Sequence, residues 1–193
     1  MKGLVALSSI IAVFCGCVSY GTGPQKLPPD VSSAKKSLSD TSCQNLSGWY
    51  VFYGEALPGY PSFFGLVGNR LAMDDMLGIS LLPRDQRRKI TAVEIIQNDS
   101  LEAIFHEQDG IVSRKRAVSP EDRMSCQGGK LTIIRVREGV GEAVTGTATI
   151  TETLSQAGDG SLVIKYESVS KDRSFIFRWI STEEYAASFR RLP

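Results

Sequence analysis

Four cysteines and one histidine are the side chains of this chain best suited to nucleophilic, redox or proton-transfer chemistry. The cysteines fall into two pairs. Cys15 and Cys17 close an apolar run at the N-terminus, whereas Cys43 and Cys126 stand far apart in the body of the chain. A thiolate at Cys17 is a nucleophile, while two thiols in a small domain usually pair as a disulfide if the domain is exported, the other reading being two independent buried thiols. The loop that Cys43 and Cys126 would close holds 84 residues counted inclusively. On a chain-entropy model that closure stabilises the fold by about 4.5 kcal/mol at most. His106 lies beside Phe105 and Glu107 in a strand-like segment with no nucleophile elbow nearby, so it reads as a surface or edge position rather than a catalytic base.

Other patterns that carry chemistry are missing. The chain has no HExxH, no CxxC, no EF-hand loop and no Walker A sequence, so neither a metal nor a cofactor is expected. Gly128, Gly129 and Lys130 lack the spacing of a phosphate loop, and Gly139, Gly141 and Gly146 precede a strand pattern instead of a helix. The acid pairs Asp74-Asp75 and Glu183-Glu184 read as solvated, and so do the basic clusters Arg84, Arg87, Arg88, Lys89 and Arg114, Lys115, Arg116. With 22 Lys+Arg against 21 Asp+Glu, one of the cations being Lys2 in the leader, the body of the chain is formally neutral. No electrostatic pull on nucleic acid is expected. The expectation is a protein that is not an enzyme.

The leader carries more information. Lys2 precedes an uninterrupted run of 11 apolar and small residues at 4–14. That is the form of a signal peptide over residues 1–16, and it falls short of the roughly 20 residues a membrane-spanning helix needs. Phe14, Cys15, Gly16 and Cys17 resemble the four-residue lipobox of bacterial lipoproteins. Gly16 and Cys17 match its last two positions, and Phe14 and Cys15 replace the usual Leu and Ala or Ser. The resemblance implies that Cys17 receives the lipid, palmitate included, and becomes the new N-terminus. Val18 after it implies sorting to the periplasmic face of the outer membrane. The alternative is a soluble periplasmic or secreted protein cut near Ser19 or Gly21.

Residues 17–42 are rich in Ser, Pro, Gly and Lys and read as a lipid-anchored disordered tether, because they cannot bury enough apolar surface to offset ordering. A flexible chain of this length has an r.m.s. reach of about 25–30 Å. Residues 43–193 then read as a single β domain. Strand patterns at 48–54, 89–97, 101–108, 111–118, 130–137, 143–154, 161–169 and 174–181 alternate with turn signals. A short helix is expected within 71–81, ending near Gly78. Ser181, Thr182, Glu183 and Glu184 form a capping-box pattern that predicts a short C-terminal helix up to Phe189. The fold class is all-β, about eight antiparallel strands in a meander that closes as a small barrel or curved sheet.

Seven of the 16 aromatic residues, Trp49, Tyr50, Phe52, Tyr53, Tyr60, Phe63 and Phe64, crowd into 16 positions. Strand alternation sends Trp49, Val51 and Tyr53 to one face and Tyr50 and Phe52 to the other. One face lines the core. The other is either covered by the loop carrying Tyr60, Phe63 and Phe64, or is a patch for a ligand or partner. The opening around Gly48, Trp49 and Tyr50 resembles that of lipocalins. A closer resemblance is to a group of proteobacterial outer-membrane lipoproteins with a lipocalin-like β domain. It rests on Cys43, Leu46, Ser47, Gly48 and Tyr50, on Cys126 followed by Gly128, on the run from Asp159 to Val163, and on Phe189, Arg190 and Arg191. The resemblance implies no activity. Two readings follow: a tethered binding or interaction module of the cell envelope that meets an envelope protein, or a lipocalin-like carrier of a small apolar ligand.

Overall fold

A computed structural model describes residues 43–60, 70–79, 83–140, 144–174 and 176–193. The expected leader (1–16), the tether (17–42) with Cys17, and Phe63 and Phe64 lie outside the described residues. Among the described residues eleven strands form two open sheets, with every named pair antiparallel. In the four-stranded sheet the order is β1 (Gly48–Tyr50), β4 (Ile90–Gln97), β5 (Leu101–Glu107), β6 (Val112–Arg116). In the seven-stranded sheet it is β3 (Arg70–Ala72), β2 (Tyr53–Ala56), β11 (Arg178–Phe189), β10 (Leu162–Ser174), β9 (Val144–Gln156), β8 (Lys130–Val140), β7 (Arg123–Gln127). The all-β antiparallel class is as the sequence predicts. Among the described residues neither sheet closes into a barrel, since each ends in two edge strands, which leaves the curved sheet of the two closures expected.

Period-2 patterning explains why β8 to β11 stand where they do. Along β9, Ala148, Glu152 and Leu154 are buried, while Thr145, Thr147, Thr149, Thr151 and Thr153 occupy the other face. Cross-strand register stacks Leu131, Leu154, Ile164 and Ala187 into one inward row, all fully buried. Facing them from the other sheet are Val93, Ile95, Leu101, Ala103 and Phe105, and one hydrophobic core draws on both sheets. At roughly 1.5–3 kcal/mol for each large side chain removed from water, this core is the main favourable term in the fold.

The aromatic segment predicted as one strand over 48–54 is two. β1 joins the small sheet and β2 the large one, because the chain crosses between sheets at Val51 and Phe52. Backbone groups freed at the crossing still find partners. Val51 N–H donates to the Arg190 carbonyl (3.0 Å), Met73 N–H to the Phe52 carbonyl (3.0 Å) and Leu192 N–H to the Trp49 carbonyl (2.7 Å). Gly54 permits the close approach this seam needs, since a Cβ there would sit 2.7 Å from the Phe189 ring and 2.8 Å from the Ser188 carbonyl.

Two further elements depart from expectation. Residues 181–189, predicted as a helix, belong to β11, which runs in continuous register with β10 from Arg178 to Phe189. The capping-box pattern is a local preference of short reach, whereas Tyr185, Ala187 and Phe189 alternate inward and bury a strand face. Arg123–Gln127, unassigned in sequence, is β7, a short polar edge strand. Its hairpin to β8 turns through Gly128 and Gly129, with φ of 57° and 76°, the pair of left-handed residues that a two-residue primed turn requires. The short helix within 71–81 is present as α1 (Met73–Met76), and a second turn of helix, α2 (Arg84–Arg87), follows.

Candidate functional site

The predicted aromatic patch is not one surface. Tyr50 and Phe52 are core residues; Phe52 meets Phe105 edge-on at 5.9 Å, and the Tyr50 hydroxyl donates to the Leu46 carbonyl at 2.9 Å. Burial raises the Tyr50 pKa, with Arg191 pulling the other way. Trp49 stands on the opposite, outer face of the four-stranded sheet, its ring 4.3 Å from that of His106. His106 is therefore not at an edge: β5 is an interior strand, the ring is half-buried, and Nε2 lies 3.6 Å from a Glu94 carboxylate oxygen. Tyr60 sits elsewhere again and accepts a 2.7 Å hydrogen bond from Lys165, which raises the lysine pKa. Of the described members, only Phe52 and Tyr53 help to line a cleft.

That cleft, about 520 Å³, opens where the two sheets meet. Val51, Phe52, Tyr53 and Ile90 supply its apolar wall; Glu55, Arg70, Asp159 and Arg190 supply two charges of each sign. Glu55 and Arg70 arrive opposite one another through the β2 and β3 register. Asp159 is engaged by the Ser161 backbone N–H at 2.9 Å and by its hydroxyl at 3.0 Å, bonds that hold its carboxyl below the usual range. The Tyr53 pKa is raised by burial. An amphipathic, charge-compensated cleft of this kind can bind and orient. Of its hydroxyls, Thr91 donates to the His106 backbone carbonyl at 3.1 Å, while the His106 ring lies against Trp49.

Buried ions form a second kind of feature, and sequence reasoning missed them. Asp74 and Asp75, predicted to be solvated, are respectively buried and half-buried and clamp Arg87, whose guanidinium nitrogens lie 2.6–3.0 Å from their oxygens. Arg87 is thus no solvated member of its basic cluster. Burial works against its charge, but the two carboxylates outweigh that and raise its pKa. Deeper still, Arg135 donates to Glu152, to the Ala117 carbonyl and, at 3.1 Å, to Asp122, while Arg137 reaches the other Asp122 oxygen at 3.3 Å. The Ser119 N–H also donates to Asp122 (2.8 Å), which fastens the turn before β7. Burial pushes the Glu152 carboxyl up, more than Arg135 draws it down. The signal was present in the period: Arg135 shares parity with Leu131 and Ile133, and Glu152 with Leu154, so opposite charges fall at inward positions of adjacent strands.

Cys43 and Cys126 are joined in a disulfide, with Cα atoms 5.2 Å apart. The bridge fastens the segment before β1 to edge strand β7. Among the described residues no helix is long and apolar enough to cross a membrane, and no group of three His, Cys, Asp or Glu side chains is placed to hold a metal. No family model, no curated protein and no solved structure matches this chain.

Proposed function

We propose that this chain is a cell-envelope lipoprotein, anchored through Cys17 to the periplasmic face of the outer membrane, whose β domain is a tethered binding module without catalytic activity. The observation that carries the binding part is the cleft at the sheet seam, where Tyr53 and Phe52 meet Glu55, Arg70, Asp159 and Arg190. Two cations and two anions around an apolar wall suit a polar, charge-compensated partner such as a peptide segment of an envelope protein. A small apolar ligand would leave those charges unpaired as it excluded water, which costs free energy. The lipocalin-like carrier is therefore the weaker reading, and the packed core between two open sheets favours it no further. The lipobox resemblance at Gly16 and Cys17 supports the anchor, and a disulfide between Cys43 and Cys126 suits an oxidising compartment.

Both parts are tested on one preparation. Cells fed clickable palmitate label the wild-type protein and not Cys17→Ala. Native mass spectrometry of the envelope-purified protein finds a bound species that Arg190→Glu loses. An unlabelled wild-type protein ends the anchor; the same species retained by Arg190→Glu ends the cleft as its site.

A further inference from the structure

The far end of the β10 and β11 hairpin is the most exposed apolar surface among the described residues. Ile176, Phe177, Trp179 and Ile180 are 77, 67, 42 and 69% exposed, four large apolar side chains within five positions. Trp179 and Ile180 are successive strand residues on opposite faces, so the apolar side chains surround the hairpin end, and apolar surface gathered in one place, unlike scattered residues, marks a contact site. Arg173 and Arg178 are directly opposed across the neck of the hairpin, and Lys171 stands two residues back on the same face, opposite Ile180. Like charges so placed repel each other. Neither arginine has a carboxylate partner among the described residues, and Glu138, the acid in register with Lys171, is two strands away, about 10 Å at ordinary strand spacing.

We propose that this tip inserts into the headgroup region of an anionic lipid bilayer. Trp at the water interface, aliphatic and aromatic tips below it and cations level with the phosphates are the composition such a surface selects. An anionic surface converts the Arg173–Arg178 repulsion into attraction. The backbone is also prepared for a low-dielectric medium. Ser174 N–H donates to the Phe177 carbonyl at 2.8 Å, and the Ser174 hydroxyl oxygen accepts from the N–H groups of Ile176 (3.4 Å) and Phe177 (3.0 Å). The amides of Ser174, Ile176 and Phe177 enter the interface already hydrogen-bonded, which lowers the cost of burying them there. The tip lies at the pole opposite Cys43, eleven register steps from the Leu162–Phe189 pair, about 36 Å at the rise of a strand. The 25 residues at 18–42 have a contour length of up to about 85 Å, so a chain held at Cys17 reaches the same bilayer side-on. The tip contact itself does not depend on that anchor.

The chain has two tryptophans, so Trp49→Phe leaves Trp179 as the sole reporter. The full chain carrying Trp49→Phe and Cys17→Ser is mixed with vesicles of equal parts phosphatidylglycerol and phosphatidylcholine, or of phosphatidylcholine alone. Trp179 emission shifts to the blue and is quenched by brominated lipid on the anionic vesicles, and high salt reverses both. Arg173→Ser with Arg178→Ser lowers the partition about thirty-fold, from the usual gain per basic residue at such a surface. Ile176→Ser with Ile180→Ser abolishes the quenching while leaving the circular dichroism unchanged. An unaltered Trp179 spectrum overturns the proposal, as does equal binding to both vesicle types. A blue shift that grows with protein concentration in the absence of lipid also overturns it, in favour of a second copy. Loss of palmitate labelling at Cys17 leaves all of these readouts standing, so the two ideas fail separately.

Discussion

Strands β8 to β11 run side by side for their whole length, yet their two halves are built on opposite rules. In the half near the disulfide, the inward row of Leu131, Leu154, Ile164 and Ala187 is fully buried and the charges point to water. One row further, Glu152 takes an inward place beside Ile133 and Tyr166, and the next brings in Arg135. At the far end the apolar side chains are the exposed ones. Extent of the apolar core explains the change. The hydrophobic cluster reaches no further along these strands than Ile133 and Tyr166, and the buried positions beyond it, Arg135, Ala148, Ser168 and Asp172, are charged, polar or small. Arg135, Glu152 and Asp122 mark the border where apolar packing stops and the long hairpins continue as an arm. A sheet that extends past its core costs solubility unless it is shortened or used.

Variants distributed across that border test the contrast. Reducing the disulfide, or replacing both Cys43 and Cys126 by Ala, acts at the near end and should lower stability by up to about 4.5 kcal/mol in chemical denaturation. Arg135→Met, at the border, leaves Glu152 and Asp122 buried without their cation and should cost about 3–5 kcal/mol. A loss below about 1 kcal/mol would mean water reaches those carboxylates, and the border would then lie nearer the disulfide than the burial indicates. Leu154→Ala, inside the core, should cost about 2–4 kcal/mol through lost burial and a cavity. Ile180→Ala, in the arm, should change stability by less than about 0.5 kcal/mol. Equal losses from the last two would erase the distinction between the halves.

The smallest effect concerns pH. Burial raises the Glu152 pKa above its unfolded value. Between those two values the native state therefore binds more protons than the unfolded one, and stability falls as pH rises through that window. Glu152→Gln should flatten this slope, read as unfolding midpoints from pH 4 upward. An unchanged slope would place the pH dependence elsewhere.

Much of the near half was legible in sequence. Strand segments at 89–97, 101–108 and 161–169 overlap β4, β5 and β10, because half-buried antiparallel strands carry their period in the residues themselves. The cysteine pair was equally plain. What escaped was everything that depends on a distant partner. Asp74 and Asp75 look like a solvated acid pair until α2 brings Arg87 to them. The aromatic crowd from Trp49 to Tyr60 looks like a single patch until the crossing at Val51 and Phe52 divides it between two sheets. Residues 174–181 read as one more strand, and only the hairpin shows that Phe177, Arg178 and Trp179 stand at its tip.

By itself, then, the sequence determined the strand period, the inward parity of each strand, the turns at Gly and Asn, and two thiols able to pair. Tertiary structure alone decided which sheet each strand joins, that 181–189 extends β11 instead of coiling, and where the core ends. Parity is a property of neighbouring residues along the chain, and the residues suffice to specify it. Pairing partners and the limits of burial are set by free energies between segments that can lie more than a hundred residues apart, as β2 and β11 do, which no local pattern contains.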